Sequence, residues 1–345
     1  MNNNHGGDIY KYRNILDFST NINPLGTPEN IKSAIVNSID DVYSYPDMYC
    51  SRLRKKIAEK YNIDREYVVC GNGAADIIYR FASALNPKKA LIVSPTFSEY
   101  QEALENVGCD VTHYVLGYDL MLDKDVLNYI DSDISAVFIC NPNNPTGMVA
   151  DSDIIDKLIE LTFEKDIKLF VDECFLDFTK FGQNSVVDKV ERFDNIFVLK
   201  SFTKMYAMAG VRLGYGITSD LELIDSMYSA TPPWSVSTVA QNCGIASFVL
   251  DDFVDKTIKL IDKEKQFLYN GLEMLDIHYF KSDANFILFK SVPGLKNKLL
   301  KQGILIRDCS DYVGLERGFY RISVKTRKEN EILLEALNCA LNKIF

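Results

Sequence analysis

Short apolar runs rich in β-branched residues alternate with amphipathic stretches from residue 67 to residue 217. The runs are Tyr67–Cys70, Ala90–Val93, Val111–Val115, Ala136–Cys140, Lys168–Val171, Ile196–Leu199 and Leu213–Ile217. Between them, Ala74–Leu85, Phe97–Val107 and Asp151–Lys165 read as amphipathic helices. Such alternation predicts an α/β fold with a mainly parallel seven-stranded sheet between helices. Near-continuous apolar strands fit a sheet covered on both faces. After Trp234 the pattern changes. A long helical region runs to about Leu275, followed by strand-like runs at Asn285–Phe289, Ile304–Ile306 and Tyr320–Val324 and a last helix near Lys328–Asn342. This predicts a smaller α+β C-terminal domain. The first 45 residues, rich in Asn, Tyr, Pro and Gly, read as an extended arm. The expected division is an N-terminal arm at 1–45, a large domain at 46–235 and a small domain at 236–345.

Ligands of parallel α/β sheets bind outside the carboxyl ends of the strands. Four polar clusters fall at such ends: Gly71-Asn72-Gly73-Ala74-Ala75, the NPNNPTG stretch from Asn141 to Gly147, Asp172-Glu173, and KSFTK from Lys200 to Lys204. Each has an ordinary reading alone, as a turn, a rigid proline loop, a helix cap or a solvated lysine. Together, at corresponding ends of different strands, they imply one shared site. The glycine-rich turn opens a helix, whose backbone N–H groups and dipole suit a phosphate. The stretch SFTKMYAMAGVRLG sets Ser201, Lys204 and Arg212 among small and apolar residues. Polar groups in such a setting need partners if buried. A phosphate would take Ser201 and Arg212 and leave Lys204 to meet an aldehyde.

The formal net charge of −10 argues against nucleic acid or an anionic membrane as the main partner. A few local arginines can still reverse the field in one cleft. The eight cysteines form no CxxC pair, so no metal site is expected, and they read as reduced core residues of a cytoplasmic protein. The N-terminus shows no basic and apolar leader pattern, and no apolar stretch approaches the roughly 20 residues that span a bilayer.

The Ser201–Gly214 stretch resembles, position by position, the cofactor-attachment signature of the class I/II (fold-type I) aminotransferases, which depend on pyridoxal phosphate. The other clusters resemble the same family in the same order, over essentially the whole chain. The resemblance implies that Lys204 holds the cofactor as a Schiff base and transfers protons. It implies that Asp172 pairs with the pyridine nitrogen, which keeps the ring an electron sink. Asn144 would bond the phenolic oxygen, and Phe97 would stack on the ring. The backbone of Ala74 and Ala75, with Ser201 and Arg212, would bind the phosphate. Tyr45 resembles the tyrosine that reaches the phosphate from a neighbouring subunit, which implies a homodimer. One position departs from the common pattern. The segment DECFLDF puts Phe175 where many relatives carry a tyrosine, so one hydrogen bond to the phenolic oxygen is missing.

The cofactor motifs do not select the reaction. The bond to Cα that stands perpendicular to the ring breaks, and the groups holding the rest of the substrate decide which bond that is. Residues 5–26, HGGDIYKYRNILDFSTNINPLG, resemble the arm of the threonine-phosphate decarboxylases, as does PPWSV at 232–236. Histidinol-phosphate aminotransferases share an Asn-x-Asn-Pro block without the leading HGG. The stretch ILIRDCSDYVGLERGFYRISV supplies Arg307 and Arg321, where relatives use two arginines on substrate. Arginine's planar fork suits carboxylate and phosphate alike. Outside this resemblance, each would read as a surface ion pair worth about 0–1 kcal/mol. The resemblance further implies that His5 and Gly6 meet a substrate phosphate, with Asn21 and Asn144 near the substrate's other end. The expected reaction is decarboxylation of L-threonine O-3-phosphate to (R)-1-amino-2-propanol O-2-phosphate, for cobalamin side-chain synthesis. The alternative is transamination of histidinol phosphate. A non-catalytic binding protein would not be expected to keep Lys204, Asp172 and Arg212 together.

Overall fold

Apolar residues at almost every position of five central runs leave them no solvent face, and the chain buries them as adjacent strands. A computed structural model describes residues 6–341. Its strands are β1 (Leu16–Asp17), β2 (Val68–Gly71), β3 (Lys89–Ser94), β4 (Asp110–Val115), β5 (Ala136–Cys140), β6 (Lys168–Asp172), β7 (Ile196–Ser201), β8 (Gly214–Ile217), β9 (His278–Tyr279), β10 (Phe286–Lys290), β11 (Ile304–Leu305), β12 (Arg307–Asp308) and β13 (Phe319–Ser323). Seven of them form one sheet in the order β2-β8-β7-β6-β5-β3-β4. The pairs β3–β4, β3–β5, β5–β6 and β6–β7 are parallel. Only β8 runs against its neighbours, β2 and β7. The mainly parallel seven-stranded sheet expected from the pattern is therefore present. Every position of β2 and β7 is buried, whereas the edge strand β4 is largely open.

The helix Ala74–Leu85 is anchored on this sheet by Phe81. Its ring centroid lies 5.7, 4.9 and 4.8 Å from those of Phe138, Phe170 and Phe197 on three neighbouring strands. Edge-on and tilted rings at this spacing add to area burial. The helix starts where Gly73 turns with φ +91°, so the cluster after β2 sits at a helix N-terminus.

A second, four-stranded sheet has the order β12-β13-β10-β9 and is antiparallel. Its register sets Arg307 of β12 directly opposite Arg321 of β13. Two features differ from the expectation. The Ile304–Ile306 run is strand only at Ile304–Leu305 (β11), and a separate strand, β12, follows it at Arg307–Asp308, because the chain leaves a pairing with β1 to join β13. The helical region after Trp234 is two helices, Thr238–Ser247 and Asp251–Met274. Ser247 Oγ bonds the Gly244 carbonyl, the Leu250 N–H turns back to Ser247, and Asp251 and Asp252 open the second helix at the positive end of its dipole.

The N-terminal arm is not extended throughout. Glu29–Asn37 is helical after Pro28 and lies against Thr238–Ser247, with Asn242 Nδ2 donating to Ser38 Oγ at 2.9 Å. Before that helix, β1 pairs in parallel with β11, Leu16 opposite Ile304 and Asp17 opposite Leu305. Among the described residues, no helix is long and apolar enough to cross a membrane.

Candidate active site

Four of the parallel strands end at polar residues, and the structure gathers their side chains around one cavity of about 280 Å³. Of the residues singled out in the sequence, Gly6, Asn21, Ala74, Phe97, Asn144, Asp172, Lys204, Arg212, Arg307 and Arg321 line it. Four cations thus face one carboxylate, in a protein of net charge −10. Low-dielectric walls focus such a field, so the cavity favours an anionic occupant.

Asp172 ends β6 and is buried. Its Oδ2 accepts from the Tyr100 hydroxyl at 2.5 Å and its Oδ1 from the Cys174 N–H at 2.8 Å. Burial, and then the Asp172 charge, push the Tyr100 phenol well above its ordinary value, so the hydroxyl stays a donor. Burial also pushes up the thiols of Cys140 and Cys174 beside it. Both remain thiols and act as packing groups. Lys204 Nζ stands 5.6 Å from the centroid of the Phe175 ring. That ring is buried and meets Phe286 edge-on at 5.0 Å. The position that departs from the family pattern is thus an apolar wall near the lysine.

Arg212 has φ +63° and donates to the Ala209 carbonyl at 3.0 Å. Its guanidinium lies against Gly73, where an added Cβ would collide with it. Glycine is needed there for the positive φ and for this close approach. Helix N-terminal N–H groups and a guanidinium on one spot make an anion cradle. Ala75, one residue on, does not line the cavity. Ser201 is buried behind it, its hydroxyl 2.7 Å from Thr203 Oγ1, and Thr203 does reach the cavity. Tyr45 lies elsewhere, exposed and stacked on Trp234 at 4.6 Å. His5 lies outside the described residues.

Arg307 and Arg321 are both buried. Like charges directly opposite each other on a sheet repel, so their pairing makes sense where both meet an anion. Arg307 donates to Asp311 at 2.9 Å and lies over the Tyr312 ring at 5.1 Å. Arg321 bonds Asn144 Oδ1, and also donates to the Ser19 carbonyl at 2.8 Å. Arg307 Nη1, Arg321 Nε and Asn21 Oδ1 are buried with no hydrogen-bond partner. An unsatisfied buried polar atom costs about 1–3 kcal/mol, which an incoming anionic and hydrogen-bonding ligand would offset.

Sequence reasoning missed several lining residues: Ser19, Thr20, Ile22, Cys174, Thr203 and Tyr312, and Tyr100 behind Asp172. Ser19, Thr20 and Ile22 lie inside the LDFSTNINPLG block, Cys174, Thr203 and Tyr312 inside the DECFLDF, KSFTK and ILIRDCSDYVGLERGFYRISV stretches, and Tyr100 follows Phe97 at helical spacing, so a signal was available for each. Among the described residues, no group of three or more His, Cys, Asp or Glu side chains is arranged to hold a metal ion.

The donor set fits pyridoxal phosphate: an amine for the aldehyde, a buried carboxylate for the ring nitrogen and an anion cradle for the phosphate. The chain matches the family model for class I and II aminotransferases over residues 13–337. It is 32% identical to the threonine-phosphate decarboxylase of Salmonella typhimurium, over 100% of this chain and 98% of that protein. It is also similar to the solved structure of the histidinol-phosphate aminotransferase from Clostridium acetobutylicum, with a TM-score of 0.89 and 30% identity over 95% and 99% of the two chains. Its likeness to the L-threonine-O-3-phosphate decarboxylase structure from Porphyromonas gingivalis has a TM-score of 0.84 at 24% identity, over 94% and 99% of the chains, and speaks to the fold.

Proposed function

The chain belongs to the class I and II aminotransferase family, whose enzymes depend on pyridoxal phosphate, and from that premise we propose that it decarboxylates L-threonine O-3-phosphate. The product is (R)-1-amino-2-propanol O-2-phosphate, the unit used in cobalamin side-chain synthesis. The observation that carries this reading is the facing pair Arg307 and Arg321, with unpaired N–H groups, in the same cavity as Lys204 and the arm residues Gly6 and Asn21. Threonine phosphate presents two anions, a carboxylate and a phosphate. Histidinol phosphate presents one.

In this reading Lys204 would hold the cofactor, with Asp172 for its ring nitrogen and Asn144 for its phenolic oxygen. Phe97 would stack on the ring, and Arg212, Ser201 and the N–H groups of Ala74 and Ala75 would take the phosphate. Pyridoxal phosphate supplies an electron sink for the pair left at Cα when a bond there breaks. The protein does the rest. Arg307 and Arg321 would bind the two substrate anions and so orient the bonds at the substrate's Cα. Asn21, Gly6 and His5 complete the substrate's surroundings from the arm. Asp172 keeps its orientation through Tyr100 and the Cys174 N–H. The bond from Cα to the carboxylate breaks, CO2 leaves, and the Lys204 amine delivers the proton that takes its place. Residues 46–235 and 236–345 serve as the large and small domains. Two copies pair so that the exposed Tyr45 of each serves the other's phosphate site.

The test is CO2 release from L-threonine O-3-phosphate by the purified, cofactor-loaded protein. Lys204→Ala should lower the rate by about 10²–10⁴-fold, the range for loss of a general acid–base group. Absence of CO2, together with transamination of histidinol phosphate, refutes the assignment in favour of the aminotransferase.

A further inference from the structure

Residues 9–14 are exposed, and the segment ahead of them leads to Gly6 at the cavity wall. Something must hold this short polar stretch in place. Within residues 6–13 the contacts are local: Ile9 N–H to the Gly7 carbonyl, Tyr12 N–H to the Ile9 carbonyl, and Lys11 beside Asp8. Among the hydrogen bonds of the described residues, a single one ties this segment to the rest of the protein. The Gly7 N–H donates to Ser19 Oγ at 2.8 Å.

Ser19 is 1% exposed, and each of its polar atoms is engaged. Its N–H and its hydroxyl both donate to Asp17 Oδ1, at 2.7 and 2.5 Å, while the same hydroxyl accepts from Gly7. Its carbonyl accepts from Arg321 Nη2 at 2.8 Å. The other Asp17 oxygen takes the Thr20 hydroxyl at 2.7 Å. Asp17 is itself fixed by the pairing of β1 with β11. Gly6 runs so close to the Ser19 carbonyl that an added Cβ would collide with it, and Gly7 has φ +85°. The glycine pair is thus shaped to lie on Ser19. Gly6, Ser19, Thr20 and Arg321 line the cavity, and Asp17 does not.

We propose that Asp17 and Ser19 are positioning residues: they latch the Gly6-Gly7 segment onto the cavity wall and align it with Arg321, so that substrate affinity depends on the latch. This rests on the cavity being the substrate site, and it holds whichever reaction the site runs. Asp17 acts through Ser19, and Ser19 acts on Gly7 through its hydroxyl and on Arg321 through its carbonyl. Ser19→Ala removes the first link and keeps the second. Asp17→Ala frees the Ser19 and Thr20 hydroxyls and removes no cavity-lining side chain.

The experiment is amide hydrogen exchange by mass spectrometry on the full-length, cofactor-loaded protein, read over residues 6–15, with kcat and KM for L-threonine O-3-phosphate measured in parallel. Both variants should speed exchange in that segment by about fivefold or more, the equilibrium weight of roughly 1 kcal/mol for a lost hydrogen bond. Exchange of β5, β6 and β7 should not change. KM should rise by about five- to tenfold with kcat within about twofold, because the latch acts on binding. Unchanged exchange over 6–15 in both variants overturns the latch, and so does a loosened segment with unchanged KM. The exchange measurement needs no substrate. If the wild-type protein releases no CO2 but both variants loosen the segment, the proposed reaction falls and the latch stands.

Discussion

Tyr100→Phe removes one hydroxyl and leaves the packing of the ring intact. Tyr100 is fully buried, with its ring centroid 5.8 Å from those of Phe97 and Phe138, and a phenyl ring fills the same space. The hydroxyl's bond to Asp172 Oδ2 is 2.5 Å long, and the other carboxylate oxygen keeps only the Cys174 N–H. The loss is therefore one hydrogen bond to a buried carboxylate, about 1.5–3 kcal/mol. With an unfolding entropy of about 2.1 cal/mol/K per residue over 345 residues, that corresponds to a fall in Tm of about 2–4 °C. Differential scanning calorimetry on the cofactor-free protein reads this directly. Pyridoxal phosphate should also leave the variant faster on dialysis, because Asp172 is less firmly oriented. Tyr100→Ala, which opens a cavity, sets the scale with a loss of about 3–5 kcal/mol. A Tyr100→Phe protein that melts within about 0.5 °C of wild type and keeps its cofactor equally well refutes the reasoning. Tyr100 would then be a core ring and no support for Asp172.

Lys200 is a second buried charge under the site, 3.0 Å from Glu173 and 3.6 Å from Asp177. Burial alone would lower its pKa, but the two carboxylates outweigh burial and raise it, so the amine stays charged. Lys200→Met should cost about 3–5 kcal/mol in urea unfolding by stranding Glu173, and a loss under about 1 kcal/mol would contradict that account. His113, with Nδ1 2.8 Å from Ser94 Oγ, has its pKa lowered from 6.5 by burial. The unfolded chain therefore binds this proton first. The His113 contribution is fully present above about pH 6.5 and declines as the pH falls toward the lowered native value. His113→Gln should flatten the stability-versus-pH curve between about pH 7 and 5 relative to wild type, and parallel curves would refute the assignment.

The central strands were legible because burial on both faces writes itself into local composition. Ala136–Cys140 and the helix Ala74–Leu85 have the bounds that their apolar patterns give. The strand-end clusters were legible for a related reason: in a parallel sheet, successive strands bring their carboxyl ends to one edge, so polar residues after apolar runs must converge. Asp172, Asn144, Lys204 and Arg212 meet at one cavity accordingly.

Pairing partners were not legible, because a strand's periodicity does not say which other strand it joins. Only the tertiary structure seats β8 antiparallel between β2 and β7, and only it joins Leu16–Asp17 to Ile304–Leu305 across most of the chain. That second pairing fixes Asp17, and through it Ser19 and Gly7. The break between Ser247 and Asp251 is likewise invisible to a helical pattern that continues on both sides of it. The direction of individual side chains was also decided in three dimensions. Ser201 turns behind the cavity to Thr203, Tyr45 turns outward onto Trp234, and Tyr100 reaches the strand-end Asp172 from the helix Glu99–Asn106. The sequence by itself determined that a lysine, an aspartate and an arginine share one edge of a parallel sheet, because hydrophobic burial and chain direction are local properties. Which groups complete that site was left to long-range packing, where a few hydrogen bonds between distant segments set the geometry.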